Sequence, residues 1–158
     1  MAMIGGREDI MSGLEWGKVL HYGTHNAGRL ALHVTKVMLE TLLADDQAGF
    51  RRLKNLGKAM ADEIRKVAKH SNRHRIVCQN VNSMFQIFFT DAEEITDYRD
   101  FCTHVDRLKF RDFAVRLMDK GIYMNPSATL HSLSSIVHTE ADITTTADAI
   151  AEVLEEMP

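Results

Sequence analysis

Several things are scarce in this 158-residue chain. Cysteine occurs twice, at Cys78 and Cys102, far apart and with no metal-ligand spacing. Two buried thiols in a reducing compartment is the reading this favours. No run reaches the length of a membrane span. The opening residues, Met1 to Gly6, are too short for a signal peptide and lack its charged flank. The expected location is therefore the cytoplasm, with no membrane partner. Net charge is -3 with both signs interspersed. The basic stripe that a nucleic-acid surface requires is missing, which excludes that class of partner. Proline occurs twice, and one of the two is the last residue, Pro158.

What is present describes a globular chain. Hydrophobic residues are 45% and charged residues 26%, a balance that folds. The length suits one ordinary domain with a useful core. The chain opens directly on an apolar-Gly-Gly segment, as a piece of something longer would.

Periodicity gives the elements. Ala2 to Ile4 reads as a short strand and Arg7 to Leu14 as a short helix, with a turn at Trp16-Gly17. Residues 27–44 form a helix with Leu30, Val34, Val37, Met38 and Leu42 on one face. Leu32, Leu39 and Leu43 widen that surface, so burial on more than one side is expected. Asp45-Asp46 breaks the pattern and can cap the next helix. From Gln47 to Lys69, Phe50, Leu53, Leu56, Met60, Ile64 and Val67 step by three and four, with a charged, solvated face opposite. Ile76–Gln79 and Met84–Thr90 read as an antiparallel strand pair. A helix is expected over 97–120 with Tyr98, Phe101, Val105, Leu108, Phe113, Leu117 and Met118 inward, stopped by Gly121. Short strands come next at 122–124 and 133–137. Thr139 then caps a last helix, with Asp142 in the capping-box position. Helices segregated on a small, mostly antiparallel sheet make an α+β fold.

The most suggestive stretch is Tyr22-Gly23-Thr24-His25-Asn26-Ala27-Gly28. A glycine-bracketed polar turn opening a helix can offer N–H groups and a hydroxyl to an anion. Thr24 has two readings, turn or cap formation and contact with a phosphate. Other chemistry is thinner. His21/His25 and His70/His74 are four apart, but His21 and His25 fall in a loop and no third ligand is evident, so metal binding is not expected. Cys78 and Cys102 both fall on apolar patterns and read as inert. Lys18 and Lys36 are the lysines to consider near the turn, and neither is marked as special.

Several segments, in order, resemble class III pyridoxal-phosphate aminotransferases, most closely the glutamate-1-semialdehyde aminomutase branch. Ile4-Gly5-Gly6-Arg7 through Ile10-Met11 is similar to a Gly-Gly-Arg-x-x-Ile-Met segment of that family. Gly23-Thr24-His25-Asn26 resembles its Gly-Thr-Phe-Asn motif. Asn82-Ser83-Met84-Phe85, with Phe88-Phe89-Thr90-Asp91, resembles its Gly-Ser-Met-Phe strand. Gly121-Ile122-Tyr123, Pro126-Ser127 and Ser135 through Ile143 resemble its C-terminal signature. The likeness covers essentially the whole chain.

The resemblance implies a fold type I enzyme that works as a dimer and transfers amino groups between amino acids and keto acids. Residues 1–48 would be the end of its large cofactor domain and 49–158 its small C-terminal domain. The Schiff-base lysine, the aspartate on the pyridine nitrogen and most of the phosphate loop lie upstream of these motifs in the family. No catalytic residue therefore maps onto this chain, and it is expected to be inactive alone. Gly23 and Thr24 are the cofactor-binding positions that map, Thr24 reaching the phosphate of a partner subunit's pyridoxal 5'-phosphate. The sequence also departs from the family. Ala27-Gly28-Arg29 stands where Gly-Asn-Pro is common, and His25 replaces phenylalanine. Thr129-Leu130 stands where the aminomutase branch has Phe-Glu, so an amino-acid or β-amino-acid transaminase parent fits at least as well. Expected partners are a second copy or a missing N-terminal half. The alternatives are one half of a split aminotransferase and a non-catalytic oligomerisation or binding module.

Overall fold

The computed structural model describes residues 4–15 and 17–158. In chain order the elements are α1 (Glu8–Glu15), α2 (Arg29–His70), β1 (Ile76–Val81), β2 (Met84–Phe89), α3 (Tyr98–His104), α4 (Arg107–Asp119), β3 (Ser132–Leu133) and α5 (Glu140–Glu156). The fold is α+β, as the pattern of periods requires. The strand expected at 2–4 lies outside the described residues apart from Ile4, which is not in a strand. Trp16 also lies outside them.

The long run α2 is two helices in sequence. Ala44 is extended, and Asp45, Asp46 and Gln47 take left-handed φ values of 50°, 55° and 63°. That conformation is costly for an L-residue and is tolerated best by short polar side chains. The break falls where the Asp45-Asp46 pair placed it. The structure divides nearby into two units, 1–48 and 49–158.

In the first unit none of the described residues is buried. Helix α1 keeps Met11 and Leu14 half-covered, while Ile10 is exposed. The helical segment 29–43 carries its apolar residues in the open, which differs from the burial expected on more than one side. Leu30 is 79% exposed and Met38 61%. The pattern requires cover, and these residues do not supply it.

The second unit has a core. Strands β1, β2 and β3 form one antiparallel sheet in that order. Ile76 faces Phe89, Cys78 faces Ile87 and Asn80 faces Phe85. Side chains alternate along a strand, so Phe85, Ile87 and Phe89 share one face with Ile76 and Cys78. All five are buried. Helix α4 packs on β2 and on α5. Phe110, Phe113, Leu117, Ile150, Val153 and Leu154 are almost wholly enclosed, each stabilising the fold by about 1.5–3 kcal/mol. Met60, Ala61 and Ile64 of α2 close the same core. The opposite sheet face is partly covered by α3, where Phe101 meets Phe88 edge-on at 6.3 Å.

Several elements differ in extent from the pattern. The hairpin is tighter than expected, with strands reaching 81 and 84 around a two-residue Asn82-Ser83 turn, Asn82 at φ 51°. The helix expected over 97–120 is two helices. Asp97 caps α3, accepting from the N–H groups of Arg99 and Asp100. Asp106 caps α4, accepting from Lys109 N–H. The Asp106 N–H also donates to the Phe89 carbonyl at 2.9 Å, which fixes the break on the sheet. The break resets the helical register. Phe110, Phe113, Ala114 and Leu117 therefore face inward, while Leu108 (79%) is exposed and Met118 is only partly covered; Tyr98, at the start of α3 before the break, is also exposed (70%). Gly121 ends α4 at φ +82°, its N–H donating to Met118 and that of Ile122 to Leu117, a Schellman arrangement. No strand forms at 122–124. At 133–137 only Leu133 is in a strand, as part of β3. The α5 capping box is complete: Thr139 and Asp142 exchange both bonds.

Two contacts seat the hairpin on α2. Gly57 lies under the turn, so close that a Cβ there would sit 2.2 Å from the Asn82 carbonyl oxygen. The Arg65 guanidinium donates to the Cys78 carbonyl at 3.0 Å and to the Asn80 side chain at 2.7 Å. Asp62 holds the same guanidinium at 3.0 Å.

Candidate functional site

The Gly23–Gly28 stretch forms a turn over 24–27 that leads into α2 at Arg29. It starts the helix two residues later than the pattern suggests, because Ala27 takes φ 52°. The Asn26 N–H donates to the Gly23 carbonyl at 3.0 Å, closing the turn. The Asn26 amide folds back over Gly23, within 3.0 Å of where a Cβ would stand. The Gly28 carbonyl accepts from Leu32 and begins the helical ladder. Thr24 is exposed at the tip of the turn. The first turn of α2 holds no acidic residue, so nothing there opposes an anion. Gly23 and Thr24 are thus brought together on an open turn.

The remaining sequence candidates separate. Lys18 is exposed, and Lys36 is paired with Glu40 at 3.7 Å on an open helix surface. A Schiff-base lysine needs burial or neighbouring cations together with a cofactor cradle, and no lysine is among the buried residues. The described residues therefore do not fit pyridoxal phosphate as a complete site. They offer a turn that could touch its phosphate. Among the described residues no group of three or more His, Cys, Asp or Glu side chains could hold a metal. His70 is tied to the Lys66 carbonyl at 2.7 Å, and His74 is buried with Nε2 3.3 Å from the Met157 carbonyl.

The cysteines divide. Cys78 is buried, and burial pushes its thiol up to about 11, away from the reactive thiolate. Cys102 is exposed, which corrects the expectation of two buried thiols. Its neighbour Phe101 takes the inward position of α3, so Cys102 faces water.

A cleft of mixed lining has no counterpart among the sequence candidates. It lies in the second unit, is open to solvent with a volume of about 500 Å³, and is bordered by the apolar Met60, Phe85, Ile122, Met124 and Leu133 as well as by Tyr123, His131, Ser134, His138, Asp142 and Thr146. His138 Nδ1 accepts from the Ser135 N–H at 2.9 Å. Asp142 is occupied by Thr139, whose N–H and hydroxyl hold its carboxyl below the usual carboxylate range. The Ser134 hydroxyl is buried without a partner among the described residues. The cleft has no nucleophile–base pair. Its residues come from α2, β2, β3, the loops around β3 and the start of α5, a grouping that no periodicity announces.

Comparison with known proteins bears on the fold. No family model matches the sequence. Across 96% of its length the chain superposes on an omega-transaminase from Sphaerobacter thermophilus, with a TM-score of 0.74 at 19% identity. It superposes equally far on a β-phenylalanine aminotransferase from Variovorax paradoxus, with a TM-score of 0.77 at 21% identity. A transaminase solved with PLP bound gives a TM-score of 0.74 at 19% identity. The chain shares its fold with part of a transaminase. It spans 34% of the length of each of these structures. Among the described residues no helix is long and apolar enough to cross a membrane.

Proposed function

We propose that this chain is the C-terminal part of a pyridoxal-phosphate-dependent class III aminotransferase. The observation that carries the reading is the superposition of 96% of the chain on about a third of several transaminases. The order of the family-like motifs supports it. On this reading residues 1–48 belong to the large cofactor domain and 49–158 form the small C-terminal domain. Gly23 and Thr24 contribute to the phosphate site, Thr24 through its hydroxyl, toward the cofactor of a partner subunit. The reaction of the whole assembly is amino-group transfer between an amino acid and a keto acid, in the cytoplasm. Thr129-Leu130, where the aminomutase branch has an acid, favours an amino-acid or β-amino-acid substrate over glutamate-1-semialdehyde.

The 158 residues alone are inactive, because none of their lysines is enclosed as Schiff-base chemistry requires. Absorbance titration with pyridoxal phosphate tests this. The expected result is no spectral band of lysine-bound cofactor and no amino transfer. A band abolished by substitution of a single lysine would overturn the claim of inactivity. Addition of a lysine-bearing N-terminal polypeptide then tests the parent activity. Transfer regained on mixing and weakened by Thr24→Ala supports the reading. A second reading, a non-catalytic oligomerisation module, is favoured by the open apolar surface of residues 29–43.

A further inference from the structure

We propose that the cleft beside β3 and the start of α5 binds a small uncharged molecule with an apolar body and a carboxamide-like edge. The cleft shares no residue with the Gly23-Thr24 turn, so the inference stands apart from the transaminase reading.

The walls of the cleft are fixed by contacts within the second unit. The Ser134 N–H donates to the Ser83 carbonyl at 2.8 Å, continuing the ladder one residue past β3. Ser132 pairs with Phe85. Side chains alternate along an extended chain, so Ser134 lies on the same inward face as Phe85. Arg52 holds the loop that follows, donating to the Ile136 carbonyl at 2.9 Å and to the His138 carbonyl at 3.1 Å. The Thr139 cap then places Asp142 at the head of α5. Met60, Phe85 and Met124 make a buried apolar wall. A preformed cleft with apolar walls and a few fixed polar groups is the usual form of a small-molecule site, and about 500 Å³ lies within its size range.

Three polar groups select the ligand. Ser134 is 8% exposed, and its hydroxyl has no partner among the described residues. A buried hydroxyl left unpaired opposes folding. Its place at a cleft points to a bond made with something bound there. His138 Nδ1 accepts from the Ser135 N–H, so the neutral ring carries its proton on Nε2. That N–H is a donor with no partner among the described residues. Asp142 is held in its charged form by the Thr139 N–H and hydroxyl. A carboxylate ligand would meet Asp142 as a like charge. A hydrocarbon would leave the Ser134 hydroxyl and the His138 N–H unpaired. A carboxamide offers its carbonyl oxygen to those donors and its N–H to Asp142, while the body it carries lies on Met60, Phe85 and Met124.

Benzamide is the probe, with benzoate as its charged isostere. The purified 158-residue protein is titrated with each and followed by amide NMR and by thermal unfolding. The expected result is saturable benzamide shifts at Ser134, Ser135, His138 and Thr146. Benzoate should bind about fivefold more weakly, the effect of one like charge near the surface. Ser134→Ala should weaken benzamide by about fivefold, the loss of one hydrogen bond. It should also raise the thermal transition of the free protein, because it removes an unpaired buried hydroxyl. His138→Asn keeps an acceptor for the Ser135 N–H and removes the Nε2 donor, so it should weaken benzamide with the fold retained. Asp142→Asn should erase the preference for benzamide over benzoate. Absence of saturable shifts up to the solubility of benzamide would overturn the proposal, as would benzoate binding as tightly as benzamide. A Ser134→Ala protein that binds unchanged, or that unfolds at a lower temperature, would overturn it too. None of these titrations contains pyridoxal phosphate, so their failure leaves the transaminase reading where it stands.

Discussion

Gly57→Ala is the sharpest test of how the second unit is held together. The helix meets the hairpin turn at this residue with no side chain between them. An added Cβ would stand 2.2 Å from the Asn82 carbonyl oxygen, 2.5 Å from Ser83 Cα and 2.9 Å from the Asn82 carbonyl carbon. All three are backbone atoms, so no flexible side chain can swing away. Relief requires the turn and the helix to part by about 1 Å, and interiors packed to crystal density resist such shifts. The turn is also tethered by Arg65, through Cys78 and Asn80. Overpacking of this kind costs about 1–3 kcal/mol. Alanine is the better helix former by about 1 kcal/mol, which works in the opposite direction. The clash is with rigid backbone, so the upper part of the range applies and a net loss of about 1–2 kcal/mol is expected. Urea unfolding followed by far-UV circular dichroism measures it. Asn55→Ala, two residues away on the exposed side, is the control and should stabilise by a few tenths of a kcal/mol through propensity alone. A Gly57→Ala protein as stable as its parent would refute the close approach.

The two cysteines should label in sequence. A thiol reagent is expected to modify Cys102 promptly and Cys78 only on unfolding, since burial both hides the Cys78 thiol and lifts it to about 11. Prompt loss of two thiols per native chain would contradict this. Asp142 supplies a pH prediction. Its folded carboxyl lies below the usual range, because the Thr139 N–H and hydroxyl bind the charged form. The stabilisation is therefore present above the unfolded-state carboxylate range and is lost as pH falls through the lower folded value. Asp142→Asn should flatten the acid limb of the stability–pH curve and leave the neutral plateau close to a constant offset. An unchanged acid limb would argue against the capping box.

The sequence carried the elements whose signals are local. The α5 capping box, the Gly121 stop and the Asp45-Asp46 break depend on residues within a few positions of one another, and each appears in the structure. The amphipathic step from Leu56 to Ile64 identified the buried stripe of α2, because a helix repeats its face regardless of what covers it. What was hidden depended on distant groups. Asp106 could have continued a helix on periodicity alone. It became a cap because its N–H meets the Phe89 carbonyl seventeen residues back. Cys102 reads as apolar, but in α3 its neighbour Phe101 takes the inward position and leaves Cys102 facing water. The Gly57 contact and the cleft between Met60, Phe85 and residues 121–146 pair residues far apart in sequence, and no spacing rule announces either. The Gly23-Thr24 turn could be located as a turn. Its role could be suggested only by the family-like motifs around it.

Arg65 also governs how the sheet can grow. Strand β1 is an outer strand of the sheet, and such a strand offers its unpaired carbonyls to any passing extended chain. The Cys78 carbonyl points to that open side and already has a guanidinium for a partner. A β-strand arriving there would have to displace Arg65 from Cys78, Asn80 and Asp62 together. At the far side of the sheet β3 is only two residues long, too short to template a neighbour. Growth of the sheet is therefore hindered at the Cys78 position of one border and poorly templated by the two-residue β3 at the other. An open strand edge can continue copy by copy into a fibre, and the guanidinium on the Cys78 carbonyl works against that kind of addition.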